Sequence, residues 1–386
     1  PIGGGFASFS IEVSGIPPYI ASDTVMNNFI QALDNLRQAG DGKTWPKIRI
    51  GGNSADESYY EPTGPPPHAY YSFNDSYIAR LKALQEAAPG LDFVFGVNFA
   101  SPPPNQTFAI AEEKVVSTAL PNALYEIGNE VDIFKGNGFR PSSYSPQDYL
   151  SEFGTYVDAI EAAGLPRGRI QGATFCCDDS WVPTIGTMVN TSSIREHLST
   201  ISLHKYPTSY CDKNRAPPTI ADLLDDTACS KEVEKYSSIG TWTRAQGVPF
   251  WLGESNSCAC GGSPNVSDTF ASTLWGLDWL FSWAAVNTTG VNFHGGSKGL
   301  YQPLGLNGTN PDFRPLYMAM YTFSKAATGG SFPVIYDASP HATENLVFHV
   351  VRRDSTVSNP SVGEGCVTAI FIHKDLTSTS PAHVAV

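Results

Sequence analysis

Two glutamates, Glu130 and Glu254, each end a short apolar run and lie far apart in the chain. The runs are Ala123–Glu130 and Pro249–Glu254. In a barrel of parallel strands the carboxyl ends of all strands meet at one face, so two such side chains can face each other across one pocket. One protonated and one ionised carboxyl group in that arrangement are the usual groups for cleaving a glycosidic bond. We therefore expect Glu130 to act as acid/base and Glu254 as nucleophile.

Three polar residues strengthen this interpretation. Asn129 directly precedes Glu130, where its amide can hydrogen-bond a sugar 2-hydroxyl. Tyr206 follows a later apolar run and is a candidate donor to Glu254, and His204 in the same run is a candidate sugar ligand. Taken singly, an Asn-Glu pair is often a solvated turn, and Tyr206 or His204 is as well explained as a structural side chain. The joint pattern of all these residues favours a retaining glycosidase.

Strand-like and helix-like segments alternate eight times over residues 1–328. We predict α/β architecture, a (β/α)8 TIM barrel, because eight such units fit it and because no glycine-rich phosphate turn follows the first strand, as an open doubly wound sheet would need. The predicted strands are short and apolar: Phe6–Val13, Lys47–Ile50, Leu91–Phe99, Ala123–Asn129, Arg169–Phe175, Ile201–Tyr206, Pro249–Gly253 and Gly290–His294. The predicted helices include Asp23–Ala39, Ser76–Ala88, Pro146–Ala163, Asp268–Val286 and Phe313–Ala327.

The pattern changes after residue 328. Segments 331–337, 346–354, 366–375 and 382–386 resemble strands without helices between them, and some alternate apolar with polar residues. We predict that residues 329–386 form part of a C-terminal β-sandwich. Four strands make a poor sandwich alone, so we expect this domain to be incomplete in the chain.

Charge and motifs exclude several classes of protein. A net charge of −13 argues against a nucleic-acid partner, which needs a basic face, and against a strongly sulfated polymer. The most apolar stretch, residues 272–286, is too short to span a membrane, so we expect no membrane partner. No HExxH, GxSxG or P-loop motif is present, so we expect no metal and no cofactor. A thiol nucleophile stays open.

Cysteines and glycosylation motifs favour the secretory route. The chain has seven cysteines and six N-x-[ST] motifs, and buried thiols with chance motifs are the alternative. Cys211 and Cys229 bracket a polar segment that a disulfide between them would close. No signal peptide opens the chain, and we interpret it as a mature or trimmed form. We expect a secreted, glycosylated monomer. The candidate glycosylation sites are Asn74, Asn105, Asn190, Asn265, Asn287 and Asn307.

Three longer strings carry a resemblance to a known family. The strings Leu124–Asp132, Leu252–Asn256 and Phe293–Tyr301 resemble glycoside hydrolase family 79, which includes β-glucuronidases and heparanase. The resemblance covers the barrel and continues into the β-domain. It implies a retaining enzyme with Glu130 as acid/base and Glu254 as nucleophile, and a β-sandwich built from both chain ends.

The resemblance also implies the residues that bind the sugar. Glu12, Asn53 and Tyr206 fall at sugar-binding positions, while Gly295, Gly296 and Tyr301 fall where the loop after strand eight would hold the uronate carboxylate. Glycines allow a backbone to approach an anion closely, so this assignment is physically reasonable. Lys298 either helps to bind this carboxylate or faces solvent.

The expected activity is that of an exo-acting β-glucuronidase acting by double displacement. Its substrate would be terminal β-linked glucuronic acid, 4-O-methylated or not, on a glycan or glucuronide. An endo-acting, heparanase-like hydrolase is the first alternative, which the acidic charge disfavours. A non-catalytic carbohydrate-binding relative is the second, which the two intact glutamates disfavour.

Overall fold

Eight parallel strands form a closed barrel in the computed structural model, which describes residues 2–101, 106–296, 298–327, 332–333, 346–352 and 367–376. Each strand pairs in parallel with its neighbours in chain order, and the first pairs with the last. The predicted (β/α)8 barrel is confirmed. Its strands are β1 (Ala7–Glu12), β2 (Ile48–Gly51), β3 (Phe93–Val97), β4 (Leu124–Ile127), β5 (Ile170–Phe175), β6 (Leu198–Lys205), β7 (Phe250–Ser255) and β8 (Thr288–Gly295).

Each barrel strand overlaps one predicted strand, with shifted ends. The largest shortening is in β3, predicted as Leu91–Phe99. Beyond its end, the backbone N–H of Asn98 donates to Glu112 at 2.9 Å, and that of Phe99 donates to Asp56 at 2.9 Å. Buried carboxylates thus replace the strand ladder at the carboxyl face, which is where the polar residues of the site collect.

Helices pack around the outside of the barrel. The helix α1 has the predicted bounds, and Ser22 caps it by accepting from the Val25 N–H. The others predicted differ from the structure by one or two residues at their ends. The helices are α1 (Asp23–Ala39), α2 (Asn53–Asp56), α3 (Asp75–Ala87), α4 (Thr107–Ala119), α5 (Phe134–Asn137), α6 (Pro146–Ala162), α7 (Thr184–Asn190), α8 (Ser192–Arg195), α9 (Ile220–Leu224), α10 (Asp226–Ala245), α11 (Phe270–Ala285) and α12 (Pro315–Ala326).

A small antiparallel sheet follows the barrel and packs on α11. Its strands are Phe332–Pro333, Leu346–Arg352 and Val367–His373. The remaining predicted strand, 382–386, and most of residues 329–386 lie outside the described residues. A β-sandwich beginning after residue 328 therefore stays a prediction.

The disulfides differ from the expected one. Cys211 is bonded to Cys260, not to Cys229. The short strands Thr208–Ser209 and Cys258–Ala259 pair in parallel and bring the loops after β6 and β7 together. Cys229 instead lies buried on α10 as a free thiol. A second disulfide joins the neighbours Cys176 and Cys177, whereas Cys366 lies outside the described residues.

Two further sequence expectations concern the molecular surface. Among the described residues, no helix is long and apolar enough to cross a membrane. The motif asparagines Asn74, Asn190, Asn265 and Asn307 are exposed, and Asn287 is half-buried. Asn105 lies outside the described residues. Glycosylation at these positions stays a prediction.

Candidate active site

Glu130 and Glu254 lie in one cavity of about 1000 Å³ at the carboxyl face of the barrel. Glu254 belongs to β7, and Glu130 follows β4 in a turn where its φ is 54°, a left-handed value that non-glycine residues rarely adopt. One carboxylate oxygen of each glutamate and one ring nitrogen of His204 all lie within 4.8 Å of one another. The structure therefore brings together the two glutamates that the sequence analysis singled out.

Glu254 is held as an anion. Tyr206 donates its hydroxyl to Oε1 at 2.6 Å, and Arg49 donates from Nη1 to Oε2 at 2.6 Å. Burial raises the pKa of this carboxyl group, but the neighbouring His294 and Arg49 lower it more, so the pKa of Glu254 lies well below its usual range. The predicted contact from Tyr206 to Glu254 is confirmed.

Glu130 has the opposite electrostatic environment. Burial raises the pKa of this carboxyl group well above its usual range, and the charges of Glu254 and Asp132 raise it further. The Nδ1 atom of His204 lies 3.1 Å from Oε1 of Glu130. Burial and the charge of Arg49 lower the pKa of His204 to about 4, which keeps the ring neutral near pH 7. Glu130 is thus favoured as the protonated member of the pair.

Arg49 is the main residue that sequence reasoning missed. It is fully buried on β2 and donates to Glu126, to Asn129 Oδ1 at 2.7 Å and to Ser10 Oγ at 2.9 Å, besides Glu254. The carboxylates of Glu126 and Glu254 compensate its buried positive charge with one negative charge in excess. Its signal in the sequence is an arginine in the middle of an apolar strand, between Ile48 and Ile50.

Glu12, at the end of β1, forms a second polar cluster. Its carboxylate accepts from the backbone N–H of Ser54 at 2.9 Å and from the Ser54 hydroxyl, and lies 3.4 Å from Nε2 of His294. Burial raises the pKa of Glu12, but the contacts with His294 and Ser54 lower it more. A Cβ at Gly52 would lie 2.4 Å from this carboxylate, and the φ of 72° also favours glycine there.

The two asparagines proposed from the sequence contact each other. Asn129 donates from Nδ2 to Oδ1 of Asn53 at 3.0 Å. Asn53 lines the main cavity, and both line a smaller cavity beside it. Because Asn129 also accepts from Arg49, its side-chain oxygen is already in use within the protein.

The segment after β8 forms the wall opposite β4. Gly295, Gly296 and Tyr301 all line the cavity, as does the exposed Lys298. A Cβ at Gly295 would lie 2.4 Å from Cβ of Gln302, so this position needs glycine. Burial lowers the pKa of His294, but Glu254 and Glu12 raise it more. A histidine favoured in its cationic form thus lies at this wall, and the sequence analysis assigned it no role.

Among the residues that the structure describes, Glu130, His204 and Glu254 form a group that could together hold a metal ion. Both carboxylate oxygens of Glu254 already accept hydrogen bonds, one of them from a guanidinium. A cation at this point would lie close to the positive charge of Arg49. The donor set therefore fits an acid and base pair better than a metal centre.

Two curated β-glucuronidases of fungi are similar to the chain in sequence. No protein-family model matches it. A β-glucuronidase of Aspergillus niger is 27% identical over 340 residues, which cover 79% of this chain and 61% of the relative. A β-glucuronidase of Neurospora crassa is 23% identical over 346 residues, covering 80% and 60%. The chain spans about three fifths of the length of these curated relatives.

Solved structures share the fold. The crystal structure of a 4-O-α-L-rhamnosyl-β-D-glucuronidase from Fusarium oxysporum matches with a TM-score of 0.72 at 19% identity, covering 91% of this chain and 77% of that one. A family 51 α-L-arabinofuranosidase of Bifidobacterium longum matches with a TM-score of 0.63 at 13% identity, covering 98% and 83%. The chain resembles glycoside hydrolases in sequence and in fold.

Proposed function

We propose that this chain carries the catalytic barrel of a retaining, exo-acting β-glucuronidase. The observation that carries the proposal is the pair formed by the buried Glu254 and the partly buried Glu130. One carboxylate oxygen of each lies within 4.8 Å of the other, and their pKa values are displaced in opposite directions. Retaining glycosidases keep their two carboxyl groups about 5–5.5 Å apart, whereas inverting ones need room for a water between them. The short separation favours direct attack by one carboxylate.

The reaction then proceeds in two displacements. The ionised Glu254 attacks the anomeric carbon while the protonated Glu130 donates its proton to the leaving oxygen, which gives a glycosyl-enzyme and a free aglycone. Glu130, now ionised, takes a proton from water, and the water oxygen displaces Glu254 with overall retention. Arg49 and Tyr206 hold Glu254 in orientation through both steps, and His204 contacts Glu130.

Specificity for a uronic acid is assigned to the segment after β8. Backbone N–H groups at Gly295 and Gly296, with the hydroxyl of Tyr301, would receive the substrate carboxylate. Lys298 and His294 contribute positive charge to the same wall. The two curated β-glucuronidases similar to this chain support the same substrate class.

The same proposal includes membership of glycoside hydrolase family 79, the cellular location, glycosylation and oligomeric state. We propose a secreted, glycosylated monomer whose residues 329–386 contribute to a β-sandwich. The exposed motif asparagines support glycosylation, and the disulfides support an oxidising compartment.

Hydrolysis of 4-nitrophenyl β-glucuronide and of 4-nitrophenyl β-glucoside tests the proposal. Wild type should release nitrophenol from the glucuronide at least 100-fold faster than from the glucoside, and Glu254→Gln should abolish both reactions. Equal rates on the two substrates would refute the uronate assignment while leaving a glycosidase. Full activity of Glu254→Gln would refute the catalytic assignment.

A further inference from the structure

We propose that the disulfide between the adjacent residues Cys176 and Cys177 is the binding surface for the aglycone, with preference for a flat aromatic ring. The inference rests on the proposed function and adds a specificity site to it. Both cysteines line the cavity that holds Glu130 and Glu254. Cys176 is nearly buried, and Cys177 is exposed, so the pair offers one sulfur-rich face to the ligand.

Two buried charged side chains hold this turn from behind. The carboxylate of Asp132 accepts the backbone N–H groups of Cys176 at 3.1 Å, Cys177 at 2.7 Å and Asp178 at 2.8 Å. The ammonium group of Lys205 donates to the carbonyl oxygen of Cys176 at 2.7 Å. Asp132 and Lys205 are 1% and 4% exposed. Charge-assisted hydrogen bonds of this kind are among the strong ones, so the disulfide is presented on a fixed backbone.

The position of the disulfide assigns it to the leaving-group side. Asp132 lies two residues after Glu130, so the segment that carries the proposed acid/base also holds the disulfide turn. In a retaining glycosidase the acid/base faces the leaving oxygen, and surfaces beside it therefore face the aglycone. Glu12 and His294, which we assign to the sugar, come from β1 and β8, far from β5 in the barrel order.

The chemistry of the disulfide selects the ligand. Divalent sulfur is polarizable, donates no hydrogen bond and makes favourable contacts with aromatic rings. A ring joining two neighbouring residues has little conformational freedom to lose on binding, which favours affinity. A flat aromatic aglycone fits this surface, whereas a small alkyl aglycone has no ring to place against the sulfur atoms.

The test compares 2-naphthyl β-glucuronide with methyl β-glucuronide. We expect the value of kcat/KM for the naphthyl substrate, divided by that for the methyl substrate, to fall about three- to tenfold in Cys176→Ser/Cys177→Ser. The fall should come from a higher KM for the naphthyl substrate. The matched control Cys211→Ser/Cys260→Ser removes the other disulfide at the cavity and should keep the ratio within twofold. An equal loss on both substrates, or an equal fall in the control, would overturn the aglycone site.

Chemical reduction tests the same proposal without substituting Cys176 or Cys177. In Cys211→Ser/Cys260→Ser, Cys176–Cys177 is the disulfide that remains among the described cysteines. Breaking it with a phosphine reductant should lower the ratio of kcat/KM values by the same factor. Alkylation of Cys176 and Cys177 in untreated native protein would show free thiols and overturn the inference. If wild type hydrolyses neither glucuronide, the proposed function fails, and this inference fails with it.

Discussion

Arg49 of β2 and Glu254 of β7 form a buried ion pair, with Nη1 donating to Oε2 at 2.6 Å. The same guanidinium donates to Glu126 and to Asn129, the residue before Glu130. One side chain thus links the proposed nucleophile to the turn that carries the proposed acid/base. Because arginine offers several donors in a rigid plane, it can hold these oxygens in one geometry while supplying the charge that keeps Glu254 ionised.

Replacing Arg49 by lysine should lower kcat/KM by about 100-fold or more. Lysine keeps the charge but not the planar set of donors, so Glu254 loses part of its fixed orientation, and misplacing a reacting group by about 1 Å costs about 100-fold in rate. Steady-state kinetics on 4-nitrophenyl β-glucuronide measures this loss. The control is Arg140→Lys, since Arg140 also pairs with a carboxylate, Glu152, and is buried outside the main cavity. Similar losses in both variants would contradict the specific role of Arg49.

The alkaline limb of the pH profile should report Glu130. Burial and the charge of Glu254 raise the pKa of Glu130, so its proton is kept to higher pH than in an ordinary glutamate. Activity should then fall as the pH rises through this raised pKa. In Glu130→Gln, the residual kcat/KM, measured on a substrate with an activated leaving group, should no longer fall at alkaline pH. If the alkaline fall persists unchanged in this variant, another group causes it.

The acid limb should move when Tyr206 is replaced by phenylalanine. The Tyr206 hydroxyl stabilises the ionised form of Glu254, whose pKa the surrounding charges lower. Loss of this donor should raise the pKa of Glu254, and activity should begin to fall at a higher pH on acidification. The pH dependence of kcat/KM for wild type and Tyr206→Phe measures the shift. An unshifted acid limb with reduced kcat would mean that Tyr206 acts on the substrate instead.

A buried ion cluster joins the barrel to the C-terminal sheet. Asp278 of α11 lies 2.8 Å from Nε2 of His349 and accepts from Lys374. Burial raises the pKa of Asp278, but His349 and Lys374 lower it more. Its contribution to stability is therefore complete above the unfolded-state pKa, about 3.9, and is lost as the pH falls through the lower folded-state value.

Asp278→Asn should lower the free energy of unfolding by about 3–5 kcal/mol at pH 7, because it removes the negative charge beside the buried ammonium group of Lys374. Denaturant titration measures the change. Asp34→Asn, which breaks a partly exposed pair with Arg37 on α1, is the control and should cost about 1 kcal/mol or less. A small effect at Asp278 would show that the sheet docks through its apolar contacts alone.

Local pattern predicted the barrel and its two glutamates well. Apolar runs of strand length, alternating with helical periodicity, mark buried parallel strands, and a barrel brings their carboxyl ends to one face. The contact of Tyr206 with Glu254 follows from that rule. Helices α4 and α10 were implied by the eightfold alternation but not located from the sequence. In α10 few apolar side chains, such as Val233 and Tyr236, are buried along its length.

Features that depend on contacts across the barrel interior could not be predicted in the same way. The predicted site residues lie at strand ends, whereas Arg49 lies in the middle of β2, and its partners come from β4 and β7. The Cys211–Cys260 bond joins the loops that follow β6 and β7, whose cysteines are 49 residues apart in the chain. The identity of these partners, unlike the unusual position of Arg49 in an apolar strand, has no signature within a short stretch of sequence.

Covalent trapping of the nucleophile tests the central claim most directly. Wild type would be incubated with 2-deoxy-2-fluoro-β-glucuronosyl fluoride. The fluorine at C2 slows the second displacement, whereas the anomeric fluoride is a good leaving group, so the first displacement is slowed less. Peptide mass spectrometry then locates the label. We predict one fluoroglucuronosyl group per chain, esterified to Glu254 and absent from Glu254→Gln. A label on another residue, or release of fluoride without any covalent adduct, would contradict the account.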